Sequence, residues 1–249
     1  MTYGLRRSIG SRSFRLPRRR ASRMSGGTSA LIVAGGRGTR MGADLPKQYL
    51  DIGGRTILAR SVSAFLDLPD IAVVQVVIAA GDEALCADAL RGLNDARLRP
   101  PVPGGPTRAL SVRAGLDALA DAGPDHVLIH DAARPFVPAE VILAVLAALG
   151  DAEGVFAALP VVDALWRADG DRASAPLPRA GLYRAQTPQG FRFDAIRAAH
   201  ARAPADAADD VEVARAAGLE VRLVQGSEEN FKITTEADLR RARRHLGVP

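Results

Sequence analysis

Apolar positions along the chain fall into two alternating kinds of segment. Short unbroken runs at Ala30–Ala34, Val73–Ala79, His126–His130 and Val155–Leu159 read as buried strands. Between them lie stretches with helical spacing. Thr56–Leu66 places Ile57, Leu58, Val62 and Phe65 on one side, and Asp82–Arg91, Arg108–Ala120 and Glu140–Leu149 also read as helices. Strand and helix in turn predict an α/β fold: a doubly wound, mostly parallel sheet with helices on both faces. Ligands of such sheets bind beyond the strand C-termini. Asp131 stands at one such end, and a glycine-rich loop follows Ala34 at another.

Residues 160–187 break this rhythm. Val161–Trp166, a polar Asp/Gly/Pro stretch and Gly181–Ala185 together read as a long hairpin, an arm projecting from the sheet toward a second subunit. Helices follow near Phe193–Ala203 and Asp210–Ala217, then a strand at Glu220–Val224 and a last helix over Glu236–Leu246. Thr235 fits its N-cap, with Glu236 and Asp238 in the first turn. Asn230–Thr234 reads as a short apolar strand carrying one lysine, Lys232, which must snorkel or find an anion.

Composition narrows the class. Hydrophobic residues make up 47% of the 249 and charged residues 24%, ordinary for a globular chain able to bury a core. No apolar run reaches membrane-spanning length, so no membrane partner is expected. Cys86 is the only cysteine, which excludes an intrachain disulfide. Its neighbours Leu85 to Leu90 read as the buried face of a helix, not a catalytic setting.

The net charge of +5 misleads. Residues 1–23 hold eight arginines and no acid, so the rest of the chain carries −3. Residues 1–27 are therefore read as an Arg-rich, disordered extension, and 28–249 as the working domain. The extension has the composition of a transit peptide or a nucleic-acid-binding arm. A start codon assigned too early, with Met24 the true start, is the reading favoured over both. No apolar core of a secretory signal is present, and a cytoplasmic location is expected.

The chemistry concentrates in the loop after the first strand. Gly35, Gly36 and Gly38 let backbone N–H groups approach an anion closely. Arg37, Arg40 and Lys47 add positive charge. The loop is not a P-loop, because Lys47 lies between Pro46 and Gln48. Nor is it a dinucleotide fingerprint, because Met41 stands where its third glycine belongs. Three cations in so short a span suit a leaving triphosphate. Farther on, Gly104, Gly105, Arg108 and Ser111 place flexible backbone and a hydroxyl at a helix start, suited to a base or sugar or to a plain helix cap. In the run from His130 to Pro135, Asp131 can hold Mg²⁺ and Arg134 a phosphate, or the two can pair structurally. His130 reads as a satisfied strand-end residue, and Arg184–Gln189 as a polar corner after the arm.

Taken together, Ala34-Gly-Gly-Arg-Gly-Thr-Arg-Met41, Pro46-Lys-Gln-Tyr49, His130-Asp-Ala-Ala-Arg-Pro135, Thr187-Pro-Gln189 and Asn230-Phe-Lys232 resemble one family, the 2-C-methyl-D-erythritol 4-phosphate cytidylyltransferases of non-mevalonate isoprenoid biosynthesis. The resemblance runs from about Ala30 to Leu246. It implies a Rossmann-like nucleotidyltransferase fold, a homodimer formed through the β-arm, CTP and a polyol phosphate as substrates, and Mg²⁺ or another divalent cation. By position it implies that Arg40 and Lys47 act at the α-phosphorus of CTP. Ala34, Gly35, Gly36, Gly38 and Thr39 would then bind the nucleotide, with Gly105, Arg108 and Ser111 near its base. Asp131 would face the metal and both substrates, and Arg134, Thr187 and Lys232 the methylerythritol phosphate, joined by Arg179 from the partner's arm.

Ala164 and Ala208 stand where the family usually has threonines. The arm and tail look most like the cytidylyltransferase half of bifunctional enzymes that carry a cyclodiphosphate synthase. A sister enzyme acting on ribitol 5-phosphate shares the loop and the His-Asp-Ala-Ala-Arg pattern. A reading of a different class is a non-catalytic protein that binds nucleic acid through the Arg-rich tail.

Overall fold

A computed structural model describes residues 26–36 and 45–248. Seven strands form the central sheet: β1 (Thr28–Ala34), β2 (Ile71–Ile78), β3 (Val102–Pro103), β4 (His126–Asp131), β5 (Gly154–Pro160), β8 (Tyr183–Arg192) and β9 (Val221–Gln225). Between β5 and β8 the chain forms a separate pair, β6 (Leu165–Asp169) and β7 (Arg172–Leu177). The order across the main sheet is β3-β2-β1-β4-β8-β5-β9. β1 pairs parallel with β2 and β4, β2 with β3, and β5 with β9. β8 runs antiparallel to both its neighbours.

Alternation along the strands divides the core in two. Ala30, Ile32, Val76, Leu128 and Val155 point to one face. There they meet Leu58, Val62 and Phe65 of α1 (Ile57–Leu66), Cys86 of α2 (Glu83–Ala89), and Val141 and Val145 of α4 (Ala139–Leu149). Leu31, Val77, Val127, Ile129 and Phe191 point to the other face. They pack against α3 (Arg108–Ala118), α5 (Phe193–His200) and α6 (Asp210–Ala216). Helices cover both faces, as the alternating pattern predicts. Each residue buried here removes apolar surface worth about 25 cal/mol per Å² from water. A smaller cluster of Ile52, Ile57, Ile233, Leu239 and Ala242 docks α7 (Glu236–His245) onto the start of α1.

Helix starts follow sequence signals. Thr56 caps α1 and Thr107 caps α3 through their hydroxyls. Thr235 and Asp238 form a full capping box on α7. Cys86 is buried in α2, and burial, with Asp82 beside it, pushes its thiol up to about 11. It stays a protonated packing group.

Three expectations need correction. The 160–187 segment does fold back on itself, with β6 paired to β7 and the Val161 N–H donating to the Leu182 carbonyl, but Tyr183, Arg184 and Ala185 belong to the main sheet, opposite Pro160, Leu159 and Ala158. The polar corner Arg184–Gln189 is thus the middle of a central strand. Its residues are tolerated there because the buried Gln186, Thr187 and Gln189 all find hydrogen-bond partners. Asn230–Thr234 is not a strand. It is an extended loop tied to the sheet by the Ile233 N–H, which donates to the Ala133 carbonyl at 2.8 Å.

Candidate active site

The C-terminal ends of β1 and β4 open into a cleft of about 390 Å³. Ala34, Gly35, Gly36 and Lys47 line one wall, and Gly105, Arg108 and Ser111 another. Asp131 and Lys232 close it. Nine residues singled out in the sequence thus share one space. Gly38, Thr39 and Arg40, together with Arg37, lie outside the described residues, as does the extension up to residue 25.

The glycine loop is fastened from behind. The Gln48 amide donates to the carbonyls of Ala34 at 2.7 Å and Gly36 at 3.1 Å. Sequence reasoning assigned Gln48 no role; its position beside Lys47 in a buried 3-10 turn is what gives it one. Lys47 Nζ donates to the carbonyl of Ile233 at 2.8 Å, next to Lys232. On the opposite wall the glycines are required by crowding. A Cβ at Gly105 would lie 2.4 Å from Leu110 Cβ, and one at Gly104 would lie 2.6 Å from Ser111 Oγ. The Ser111 hydroxyl shares its proton between the carbonyls of Thr107 (2.9 Å) and Gly105 (3.1 Å), which pins the loop to α3.

Asp131 is the electrostatic centre. Its Oδ1 accepts from Arg108 Nε at 3.2 Å and its Oδ2 pairs with Lys232 Nζ at 2.8 Å. Burial alone would raise its carboxyl; Arg108 and Lys232 reverse that and hold it well below the usual carboxylate range. Arg108 Nη2 also donates to the fully buried Asp210 at 2.8 Å, and its guanidinium stays charged against burial because of these two carboxylates. Among the described residues lining the cleft, Asp131 is the one acid facing Lys47, Arg108 and Lys232. The cleft is therefore cationic, as a polyphosphate requires.

A second layer orients Asp131. Thr187, in β8, is buried; its Oγ1 accepts the Asp131 N–H at 3.1 Å and lies 3.0 Å from His130 Nδ1. His130 Nε2 lies 3.0 Å from the Arg134 carbonyl. A carbonyl only accepts, so this network assigns the imidazole proton to Nε2, and Thr187 donates to Nδ1. Burial lowers the imidazole to about 4, so it is neutral. His130 is a satisfied structural residue, as the sequence suggested. Thr187, implied to touch substrate, stands directly behind Asp131. Arg134 donates Nη1 to the Asn230 carbonyl at 2.7 Å and braces the Lys232 loop from beneath. Arg179 lies between β7 and β8, where its guanidinium bonds the Val162 carbonyl, and it is not among the residues that line the cleft.

No group of three or more His, Cys, Asp or Glu able to hold a metal occurs among the described residues. The donor set nevertheless suits Mg²⁺ arriving with a nucleotide. Such ions take one or two carboxylates plus substrate phosphates, and each Asp131 oxygen keeps acceptor capacity beyond its one cation partner.

A mostly parallel α/β sheet, with a glycine loop, lysines and one carboxylate at its strand ends, fits a nucleotidyltransferase. The family model described as "2-C-methyl-D-erythritol 4-phosphate cytidylyltransferase", IspD, matches residues 28–247. The chain belongs to this family. It is 51% identical over 221 residues to the enzyme of that name from Cereibacter sphaeroides, covering 89% of this chain and 97% of that one. It is 52% identical over 217 residues to the bifunctional enzyme IspD/IspF of Rhodospirillum rubrum, covering 87% of this chain and 56% of the other. The crystal structure of the Thermus thermophilus enzyme superposes with a TM-score of 0.74 at 35% identity, over 88% of this chain and 98% of that one. A crystal structure of 4-diphosphocytidyl-2C-methyl-D-erythritol synthase gives 0.76 at 32% identity, over 88% and 99%.

Proposed function

We propose that this chain transfers CMP from CTP to 2-C-methyl-D-erythritol 4-phosphate, releasing pyrophosphate. The observation that carries this reading is the cationic cleft built on Asp131, Lys232, Arg108 and Lys47 within a chain of this family. An oxygen of the substrate phosphate attacks the α-phosphorus of CTP, and the bond from that phosphorus to the bridging oxygen of the β-phosphate breaks. The electron pair leaves with pyrophosphate. The attacking oxygen is already an anion, so no general base is needed, and catalysis is positioning plus charge stabilisation.

Lys47 and Lys232 line the cleft and act on the charge that builds at the α-phosphorus, with Arg40 as the third cation. Gly105 and Ser111 hold the base end. Asp131 and the nucleotide's phosphates would hold Mg²⁺, which supplies charge neutralisation when bound. Two copies assemble through the arm, supported by the exposed apolar residues Val162, Trp166, Leu177, Leu182 and Tyr183 in and beside it. Arg179 then reaches the partner's cleft. No described helix is long and apolar enough to cross a membrane, and we place the reaction in the cytoplasm, where nucleoside triphosphates are held.

The test is pyrophosphate release with CTP and Mg²⁺, comparing 2-C-methyl-D-erythritol 4-phosphate with ribitol 5-phosphate. Release with the first is expected. Silence from folded protein, or preference for the second, overturns the substrate assignment. Trp166→Glu is expected to give a monomer in sedimentation; an unchanged dimer would remove the arm from the interface.

A further inference from the structure

Behind the cleft runs a buried chain of charge that phosphoryl chemistry does not itself demand. Asp210, in the first turn of α6, has a fully buried side chain and pairs through Oδ2 with Arg108 Nη2 at 2.8 Å. Its Oδ1 lies 3.1 Å from His200 Nε2 at the end of α5, and the His200 ring is only 1% exposed. The Asp210 N–H donates to Gln189 Oε1 at 3.1 Å, and the Gln189 amide donates to Asp209 at 3.3 Å. The carboxylate is thus located from α5, α6 and β8 at once.

A buried ion pair is an expensive way to stabilise a fold, since apolar side chains of similar volume often do as well. What this pair does uniquely is locate a guanidinium. Arginine beside a carboxylate favours a two-bond fork. Here Arg108 gives Asp131 a single bond through Nε, while Nη2, the other half of the side-on fork, turns to Asp210. Asp131 Oδ2 is thereby left to Lys232 at 2.8 Å.

We propose that Asp210, braced by His200, is a positioning residue for nucleotidyl transfer: it holds Arg108 in one-bond contact with Asp131, so that the second oxygen of Asp131 places Lys232. Without the Asp210 charge, Arg108 closes the fork on Asp131 and displaces the lysine. The sequence offered only a weak signal for this. Asp210 opens the helix expected over Asp210–Ala217, and nothing in the sequence singles out His200.

The inference rests on the cytidylyltransferase reading and is tested by a double-mutant cycle on CTP and 2-C-methyl-D-erythritol 4-phosphate. Asp210→Asn, close to isosteric, is expected to lower kcat about 100-fold, as misplacement by about 1 Å does. The KM for CTP should move less than about threefold, because the Arg108 charge stays in the cleft. In an Arg108→Ala background the same change should cost nothing further. His200→Gln, which keeps an N–H donor, should retain activity that His200→Leu loses. Multiplicative losses in the double variant, or losses that track only the unfolded fraction, would overturn the proposal in favour of a purely structural pair. Should Asp210→Asn fail to fold, equal activity of the two His200 variants would overturn it. The wild type separates the two levels: an inactive wild type sinks the cytidylyltransferase reading and this inference together, whereas an active wild type with an unaffected Asp210→Asn sinks this inference alone.

Discussion

Lys232 Nζ stands 2.8 Å from Asp131 Oδ2, so a lysine on a loop after the last strand is aimed by a carboxylate at the end of β4. The lysine end is 40% exposed and free to meet a substrate, whereas the carboxylate end is buried and fixed. Lys232→Ala is expected to lower kcat by at least about 100-fold and to cost about 1–3 kcal/mol of unfolding free energy, since the buried Asp131 carboxylate keeps only Arg108. Steady-state kinetics beside urea unfolding check both halves. A variant with near-normal kcat would remove Lys232 from the reacting centre.

Lys47 is held at the same place from the other wall, through its bond to the Ile233 carbonyl. Lys47→Ala should lower turnover by orders of magnitude with little loss of stability, because it removes charge from the transition state. Retention of activity would sink that role.

Thr187→Val keeps the shape of the side chain and deletes its hydroxyl. The buried Asp131 N–H loses its acceptor, and His130 Nδ1 its donor. Leaving such groups unsatisfied costs about 1–3 kcal/mol. Thr187→Ser should recover most of that loss. Chemical denaturation of the three proteins distinguishes this from a substrate contact, which would affect KM and leave the midpoint unmoved.

Stability should fall as pH drops from about 6.5 toward 4. His130 has its imidazole lowered to about 4 by burial, whereas an unfolded histidine titrates near 6.5. Between those values the unfolded chain binds a proton that the folded one refuses, so stability is full above the upper value and lost on acidification. One such group contributes up to about 3 kcal/mol across this window. His126 shifts in the same direction, chiefly through burial, so the comparison must be with His130→Gln, whose stability profile should be flatter by this amount. An unchanged slope would place a charged imidazole in the core.

Periodicity made β1, β2, β4 and β5 and the amphipathic helices legible, because burial on a sheet face or helix stripe repeats with the backbone's own period. The glycine loop and Asp131 were legible as a site for a related reason: parallel strands present their C-terminal ends on one edge, so residues following two such strands must meet. β8 was not legible. Gln186, Thr187, Pro188 and Gln189 look like a surface corner, and proline argues against a central strand. These positions are buried only because Ser227, His130, Asp131 and Asp210 supply their hydrogen bonds from distant parts of the chain.

Local order along the chain was thus enough to set the α/β class, the two core faces, the capped helix starts and the edge where the chemistry lies. These follow from hydrophobic spacing and backbone geometry, which act over a few residues. Tertiary structure alone decided that β8 runs antiparallel, that the Lys232 segment is a loop, that Thr187 backs Asp131, and that Asp210 holds Arg108. Each of these depends on satisfying a buried polar group with a partner far away in the chain, and such a partner leaves no periodic trace in either segment.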